Sequence, residues 1–410
     1  VIEGTTCGRP RAEASFHPVA GGGVLFDAAQ GRLYALNPAA GMAWLCMRDG
    51  LSGHESTLAL AKAFEVDRRI AAEWVHISMD RFQDLGLLET AGSTATTPAP
   101  RTPEASPKSA TSAARRGTRA EYQLFEQILH LTAPPGPLAA LESLLGTLRT
   151  DPADRKEWGC SDIEIDILPH GNRWDIVAGG QLEETCEARS IVAEVERLLI
   201  QRVVPATPHL LTLHAAALQR GGRAWLLTGL SGAGKTTLSL ALSRAGWSFG
   251  SDEIVLLGRD QGLRALPLPP CVKADSFPLI ESWFPELRSA PEHTRYGHIV
   301  KYLPIRSTPI SGTPGFVVFL RFDARGPNEI QPLDRFIALE RLLAQCVFVP
   351  PGFQHNDVKQ LLQWHSEQSY FDLSFCDCDA AVSILTRLAG NDPRNLFKLT
   401  LPKRRQLDWT

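Results

Sequence analysis

No apolar run in this sequence approaches the ~18 residues that a membrane span needs, so no transmembrane segment and no membrane partner are expected. Charge of one sign is also scarce. The net charge is -3 at pH 7, without the basic surplus of general nucleic-acid binders, so nucleic acid is not expected as a partner. The opening residues, VIEGTTCGRPRAEASF, lack the apolar h-region of a secretory signal, and the missing initiator Met reads as a trimmed end. Eight cysteines scattered over 410 residues are too few for a disulfide framework. They read as reduced thiols of a cytoplasmic protein. Cys376 and Cys378 form a lone C-x-C without the second pair that a structural zinc site wants.

What is present describes a globular chain. Hydrophobic residues make up 44% and charged residues 21%, and the length exceeds what a single core usually supports, which implies two or three domains. Residues 91–120, AGSTATTPAPRTPEASPKSATSAARRGTRA, are almost all Ala, Ser, Thr, Pro and Arg. Too little apolar surface is available there to offset the entropy of ordering, so the segment reads as a flexible tether spanning roughly 30 Å. The expected organisation is a small module over 15–90, this linker, and a large module over 121–400. Whether copies of the chain associate stays open.

In the first module, runs at 24–27 and 32–36 flank a Gln30-Gly31 turn, which predicts a hairpin. Asn37 followed by Pro38 predicts a helix start, and residues 55–64 predict a second helix. The third helix, RRIAAEWVHISMDRFQDLG, would place Ile70, Trp74, Ile77, Phe82 and Leu85 near one face, with Gly86 as its cap. Hairpin plus three helices suggests a winged-helix type of α+β module. Its third helix mixes Arg68, Arg69 and Arg81 with Glu73, Asp80 and Asp84, which suits a DNA reader less well than a peptide binder.

In the second module, helical stretches are expected around 121–149. SDIEIDILPH and RWDIVAGGQL suggest a hairpin turning at Gly171-Asn172, SIVAEVERLLIQRVV an amphipathic helix, and LLTLHAAALQRGGRAWLLTG two strands around Gly221-Gly222. The last strand runs into Gly229-Leu-Ser231-Gly232-Ala233-Gly234-Lys235-Thr236-Thr237, which fits G-x-x-x-x-G-K-[ST]. Such a loop wraps phosphates with backbone N–H groups and the positive end of the following helix. Lys235 would reach the β and γ phosphates and the Thr236 hydroxyl would hold Mg²⁺. The following helix shows the stripe Leu238, Ala241, Leu242 and Ala245 and stops at Gly246. An α/β P-loop domain that binds a nucleotide with Mg²⁺ follows; ATP is expected, while ATP versus GTP, like ATPase, GTPase and kinase, remains open at this point.

The acids narrow the choice. GWSFGSDEIVLL puts Asp252 and Glu253 ahead of the apolar run, where an ordinary Walker B aspartate closes it. Together with His214, fifteen residues before the first loop glycine, and the acids 23 and 24 residues after it, this resembles the HPr kinase/phosphorylase family and its HprK-like relatives over roughly 120–345. The resemblance implies Asp252 as general base, His214 orienting it, and Thr236 and Glu253 on Mg²⁺, with Asp252 beside the metal. Two departures stand out: Glu253 replaces the usual Asp, and PLPPCVKADSFPLI stands where HPr kinases carry an R-G-L-G signature. The second argues against HPr as substrate and against phosphorylase activity. Lys273 is either a phosphate contact or a solvated loop lysine, and H-T-R-Y-G-H at 293–298 is a further candidate to reach the site.

The first module, through L-Y-A-L-N-P-A-A-G at 33–41, the following W-L and D-L-G-L-L at 84–88, resembles the PqqD-like precursor-recognition domains of ribosomally made, modified peptide pathways. That implies leader-peptide capture by strand addition, with Leu33, Tyr34, Ala35, Leu36, Trp74 and Phe82 as contact candidates. Lasso-peptide kinases of the HprK-like branch are similar to the combination and act on a serine hydroxyl of the precursor. A tethered leader module would raise the core peptide to millimolar effective concentration. Two other readings stay open: a kinase of a folded protein or small-molecule hydroxyl, and a non-catalytic ATP-dependent peptide chaperone.

Overall fold

The computed structural model describes residues 9–89, 117–149, 162–310 and 314–390. Most of the 91–120 segment, Cys7, Cys160 and the basic LPKRRQLDWT end lie outside the described residues. The fold is mixed α/β with several sheets.

Three antiparallel strands open it: β1 (Ala14–Val19), β2 (Gly22–Asp27) and β3 (Arg32–Leu36), with β2 in the middle. The expected hairpin is therefore two strands of three. Helices α1 (Pro38–Arg48), α2 (Gly53–Phe64) and α3 (Arg68–Asp84) follow. Asn37 caps α1 by accepting from the Ala40 N–H at 2.9 Å, and Ser52 with Glu55 forms a capping box on α2.

The core face of α3 differs from the expected one. Ala71, Val75, Ser78 and Phe82 are buried, whereas Ile70 and Ile77 are 43% and 56% exposed. The face was decided by close packing on α1 and α2, which favours small Ala71 over bulky Ile70. Strand alternation splits β2: Leu25 packs with Trp44 and Phe82, while Val24 and Phe26 point the other way.

Next come β4 (Thr118–Leu124), β5 (Gln127–Ala133), α4 (Pro135–Leu145), β6 (Asp162–His170), β7 (Arg173–Ala178), β8 (Gln181–Cys186) and α5 (Ile191–Ala206). The strands form one five-stranded sheet in chain order, covered by α4 and α5. The helical expectation around 121–149 holds only for α4. Residues 118–133 are a strand pair whose turn passes through Phe125 at φ 52. That turn carries no Gly, Pro, Asn or Asp, so the usual turn signal is missing.

The largest sheet holds β9 (Leu211–Arg220) and β10 (Arg223–Thr228), which precede α6 (Lys235–Arg244), then β11 (Ser248–Ser251), β12 (Ile254–Leu257) and β13 (Leu263–Ala265). A separate three-stranded sheet is made by β14 (Cys271–Lys273), which leads into α7 (Phe277–Trp283), and by β15 (His293–Arg295) and β16 (His298–Tyr302). The chain then returns to the large sheet with β17 (Pro314–Phe322) and β18 (Glu329–Pro332), runs through α8 (Arg335–Leu343), β19 (Cys346–Phe348) and α9 (His355–Glu367), and closes with β20 (Ser369–Phe375) and α10 (Cys378–Gly390). Parallel pairing runs β10 to β17 to β20. The long β9 pairs antiparallel with β10, β11, β12 and β19.

Each face of the large sheet has its own core. On one side Ala216, Leu218, Trp225 and Leu227 meet Leu238 and Leu242 of α6 and Leu385 of α10. On the other, Leu213, Leu226 and Phe319 meet Ala338 and Leu339 of α8 and Val358 of α9. Val24 and Phe26 of β2 belong to this second core. The N-terminal sheet thus shares apolar packing with the body of the chain, which a module joined only by a tether would not.

Candidate active site

Residues 229–234 connect β10 to α6. Ser231 and Gly232 are exposed, Ala233, Thr236 and Thr237 half-buried, and Lys235 buried. Two glycines are dictated by space: a Cβ on Gly229 (φ 152) would stand 2.7 Å from the Leu320 carbonyl oxygen, and one on Gly234 (φ 89) 2.8 Å from the Phe375 ring. No side chain caps the N-terminus of α6, so its first N–H groups face outward with the positive end of the helix dipole. Lys235 Nζ donates to the carbonyl oxygens of Gly229 (2.7 Å) and Leu230 (3.2 Å). Burial lowers its proton affinity against the pull of Glu253 and Asp252.

Asp252 and Glu253 occupy the break between β11 and β12, and their surroundings separate them. Asp252 is buried, and its Oδ2 accepts from the Thr236 hydroxyl at 2.8 Å. Burial and the neighbouring Glu253 charge push its carboxyl up to about 7, against the Thr236 hydrogen bond and Arg295. Glu253 accepts from Arg295 Nη2 at 2.6 Å. Arg295 Nε lies 3.1 Å from Glu196 Oε2, which also accepts from the Tyr302 hydroxyl at 2.7 Å. Burial raises Glu196 to about 7 despite Arg295. Burial works against the Arg295 charge, but Glu196 and Glu253 outweigh it and hold the guanidinium protonated.

His214 stands on β9 in register with Ile254. Its backbone N–H donates to the Gln345 carbonyl at 2.9 Å, and its backbone carbonyl accepts from the Thr228 hydroxyl at 3.4 Å. Burial, then Lys235, lowers its proton affinity, so the neutral imidazole is favoured. Next to it, the Ala215 N–H donates to the Glu253 carbonyl at 3.0 Å. The strand of the histidine is thereby laced to the loop of the acids.

No protein-family model matches the chain, and no curated protein does. Two solved structures are similar to parts of it. TbiB1 in complex with the TbiA(beta) leader peptide is 16% identical, with 21% of this chain and 99% of that chain covered at a TM-score of 0.19. The HPr(Ser) kinase/phosphatase from Coxiella burnetii is 13% identical, with 46% of this chain and 97% of that chain covered at a TM-score of 0.22. What the site can do is therefore read from its own geometry.

That geometry joins the glycine loop, Lys235, Thr236, Asp252, Glu253 and His214 in one place. Lys273, exposed at the end of β14, acts electrostatically on both Lys235 and His214. From the 293–298 stretch it is Arg295 that reaches the acids. His293 is buried against the Ser143 hydroxyl at 3.0 Å, and Tyr296 and His298 are exposed. Sequence reasoning missed Glu196 and Tyr302. A signal for Glu196 was readable: it shares a helical face with Val192, Leu199 and Val203, where an unpaired carboxylate is costly.

The peptide-contact candidates are dispersed by the fold. Leu33 packs toward α8, and Tyr34 toward Trp44. Leu36 and Phe82 are core residues, Phe82 with its ring edge-on to Trp44 at 5.0 Å, and Trp74 packs on Phe64 at 5.7 Å. The Leu36 and Phe82 side chains are thus taken up by the core. Among the described residues, β3 pairs only with β2, so its other edge has backbone groups to offer.

Proposed function

We propose that this chain is an ATP-dependent kinase that phosphorylates a serine hydroxyl of a ribosomally made precursor peptide and captures the leader with its N-terminal sheet and helices. The observation that carries the reading is the Thr236–Asp252 contact of 2.8 Å at the uncapped start of α6. It places a carboxylate of raised proton affinity beside the phosphate loop.

The residues fit the nucleotide and its ion. Glycines at 229 and 234 let the loop pass against the Leu320 carbonyl and the Phe375 ring, a course in which backbone N–H groups can serve phosphate oxygens, and Lys235 lacks any carboxylate hydrogen-bond partner among its contacts, both being carbonyls. Thr236, Asp252 and Glu253 supply the hard oxygen donors that Mg²⁺ takes. Bound there, the ion would neutralise charge on the phosphates.

Transfer then needs positioning more than covalent chemistry. Asp252 takes the proton of the serine hydroxyl, the serine Oγ–phosphorus bond forms, and the bond from the γ-phosphorus to the departing ADP oxygen breaks. Lys235 steadies the negative charge, and His214, whose ring feels the Lys235 and Glu253 charges, orients the Asp252 carboxylate. The leader adds to the free edge of β3 by β-augmentation, and the exposed Ile70 and Ile77 of α3 offer apolar surface nearby in the same unit.

The test is transfer of labelled phosphate from [γ-³²P]ATP to a precursor peptide by wild type and by Asp252→Asn. The variant should bind ATP and lose transfer by about 10²- to 10⁴-fold, the usual worth of a general base. Undiminished labelling would remove Asp252 from the base role. ATP and leader binding with no transfer by wild type would favour an ATP-dependent peptide chaperone.

A further inference from the structure

The arginine behind Glu253 takes no part in the transfer steps above, yet its position is tightly specified. Arg295 is reached from three elements: Glu196 comes from α5, Glu253 from the turn before β12, and Tyr302, which braces Glu196, from β16. Its side chain is 14% exposed. Two nitrogens of one guanidinium are used, Nε for Glu196 and Nη2 for Glu253. A lysine ammonium is a point charge and does not offer this fork.

The charges around it give the arrangement a purpose. Glu196, Glu253 and Asp252 are close enough to act on one another. A nucleotide with several negative charges must approach these three carboxylates. Lys235 and Arg295 are the cations set among them, with Lys273 exposed at the rim.

We propose that Arg295 is a positioning residue of the nucleotide site: braced by Glu196 and Tyr302, it fixes the Glu253 carboxylate and offsets the acid cluster so that the anionic Mg²⁺–nucleotide is accepted. The inference rests on the nucleotide-site reading above. Arg295 acts through Glu253 and does not touch the transferred phosphate.

Removing one partner of a buried ion pair leaves the other uncompensated and threatens the fold. The test therefore uses the full chain as Glu196→Gln, as the double variants Glu196→Gln/Arg295→Gln and Glu196→Gln/Arg295→Lys, and as wild type. Thermal melts check folding, calorimetry measures MgADP binding, and steady-state assays separate the KM for ATP from kcat.

Glu196→Gln keeps Arg295 on Glu253 and serves as the reference for MgADP binding against which the double variants are read. Glu196→Gln/Arg295→Gln should bind it about tenfold more weakly and show a raised KM for ATP, as expected for one charge lost a few ångströms away under screening. Restoring charge in Glu196→Gln/Arg295→Lys should recover part of that loss. A folded Gln/Gln variant that binds MgADP like Glu196→Gln overturns the inference, as does a Lys variant no better than the Gln one. A wild type that binds MgADP but phosphorylates nothing overturns the kinase reading and leaves this one standing; no MgADP binding by wild type overturns both.

Discussion

The backbone N–H of His214 donates to the carbonyl oxygen of Gln345 at 2.9 Å, which ties the strand of the site histidine to the residues just past α8. The same helix packs on the N-terminal sheet, where Phe336 fills the space against Gly22 and Leu339 shares a core with Val24 and Phe26. Leader-binding candidate and candidate active site are thus two sides of one packed body.

Truncation follows from this packing. Deleting residues 1–90 removes Val24 and Phe26 from the core that holds Ala338, Leu339, Phe353 and Val358, so the remaining chain should melt at lower temperature and lose transfer even to a leaderless peptide. Phe26→Ala, a milder change, should cost about 3–5 kcal/mol, the usual range for a buried Phe. Calorimetric or dichroism melts read both. A truncated chain that melts like wild type would show that the sheet contributes nothing to the body.

The leader itself can be tested without cutting the chain. A synthetic leader peptide added in trans should compete with full-length precursor and raise its apparent KM, and should not raise that of a leaderless core peptide. Equal effects on both substrates would place the competition at the acceptor site and not at β3.

Within the loop, Gly234→Ala should abolish nucleotide binding. The added Cβ meets the Phe375 ring at 2.8 Å and the residue must keep φ 89, a conformation that costs an L side chain on the order of 1–3 kcal/mol. ADP titration by calorimetry reads the loss, and binding of wild-type strength would show that the loop relaxes freely.

Acid–base behaviour gives two signed expectations. Asp252 must be ionised to accept a proton, and its carboxyl is raised to about 7 in the nucleotide-free site, so kcat/KM for MgATP should rise with pH through about 7 and level off above it. The nucleotide tightens the site and its ion adds positive charge, so the limb in kcat should lie lower. A flat profile across this range would argue against Asp252 as base.

At the join between β1 and α9, the His17 and His355 rings stand 4.2 Å apart. Burial, His355 and Lys359 lower His17 from 6.5 to about 4. The unfolded chain binds this proton more readily, so the contribution to stability is present above pH 6.5 and is lost as pH falls toward 4. Melting temperature should drop over that window, and His17→Gln should flatten the drop. A drop unchanged in the variant would assign it to other groups, such as His365, which burial also lowers to about 4.

Local chemistry alone was enough for the glycine loop, the Asn37-Pro38 helix start and the strand-turn-strand around Gly221-Gly222. Each is governed by a few adjacent residues: a glycine where φ must be positive, a side-chain oxygen where an N–H needs a partner, alternation where a strand is half covered. The β4–β5 pair was hidden because its turn uses Phe125, and the core face of α3 because Ile70 and Ala71 fit the helical period equally well until α1 and α2 choose between them.

What the sequence by itself determined is the glycine loop and the spacing of Lys235, Asp252 and Glu253, since these lie on one continuous strand-loop-helix-strand stretch. What only the tertiary structure decided is how the two acids differ. Asp252 turns to Thr236 and Glu253 to Arg295 because α5, β15 and β16 bring Glu196, Arg295 and Tyr302 behind the loop. Burial makes a carboxylate seek a partner, but which partner is in reach depends on elements far apart along the chain.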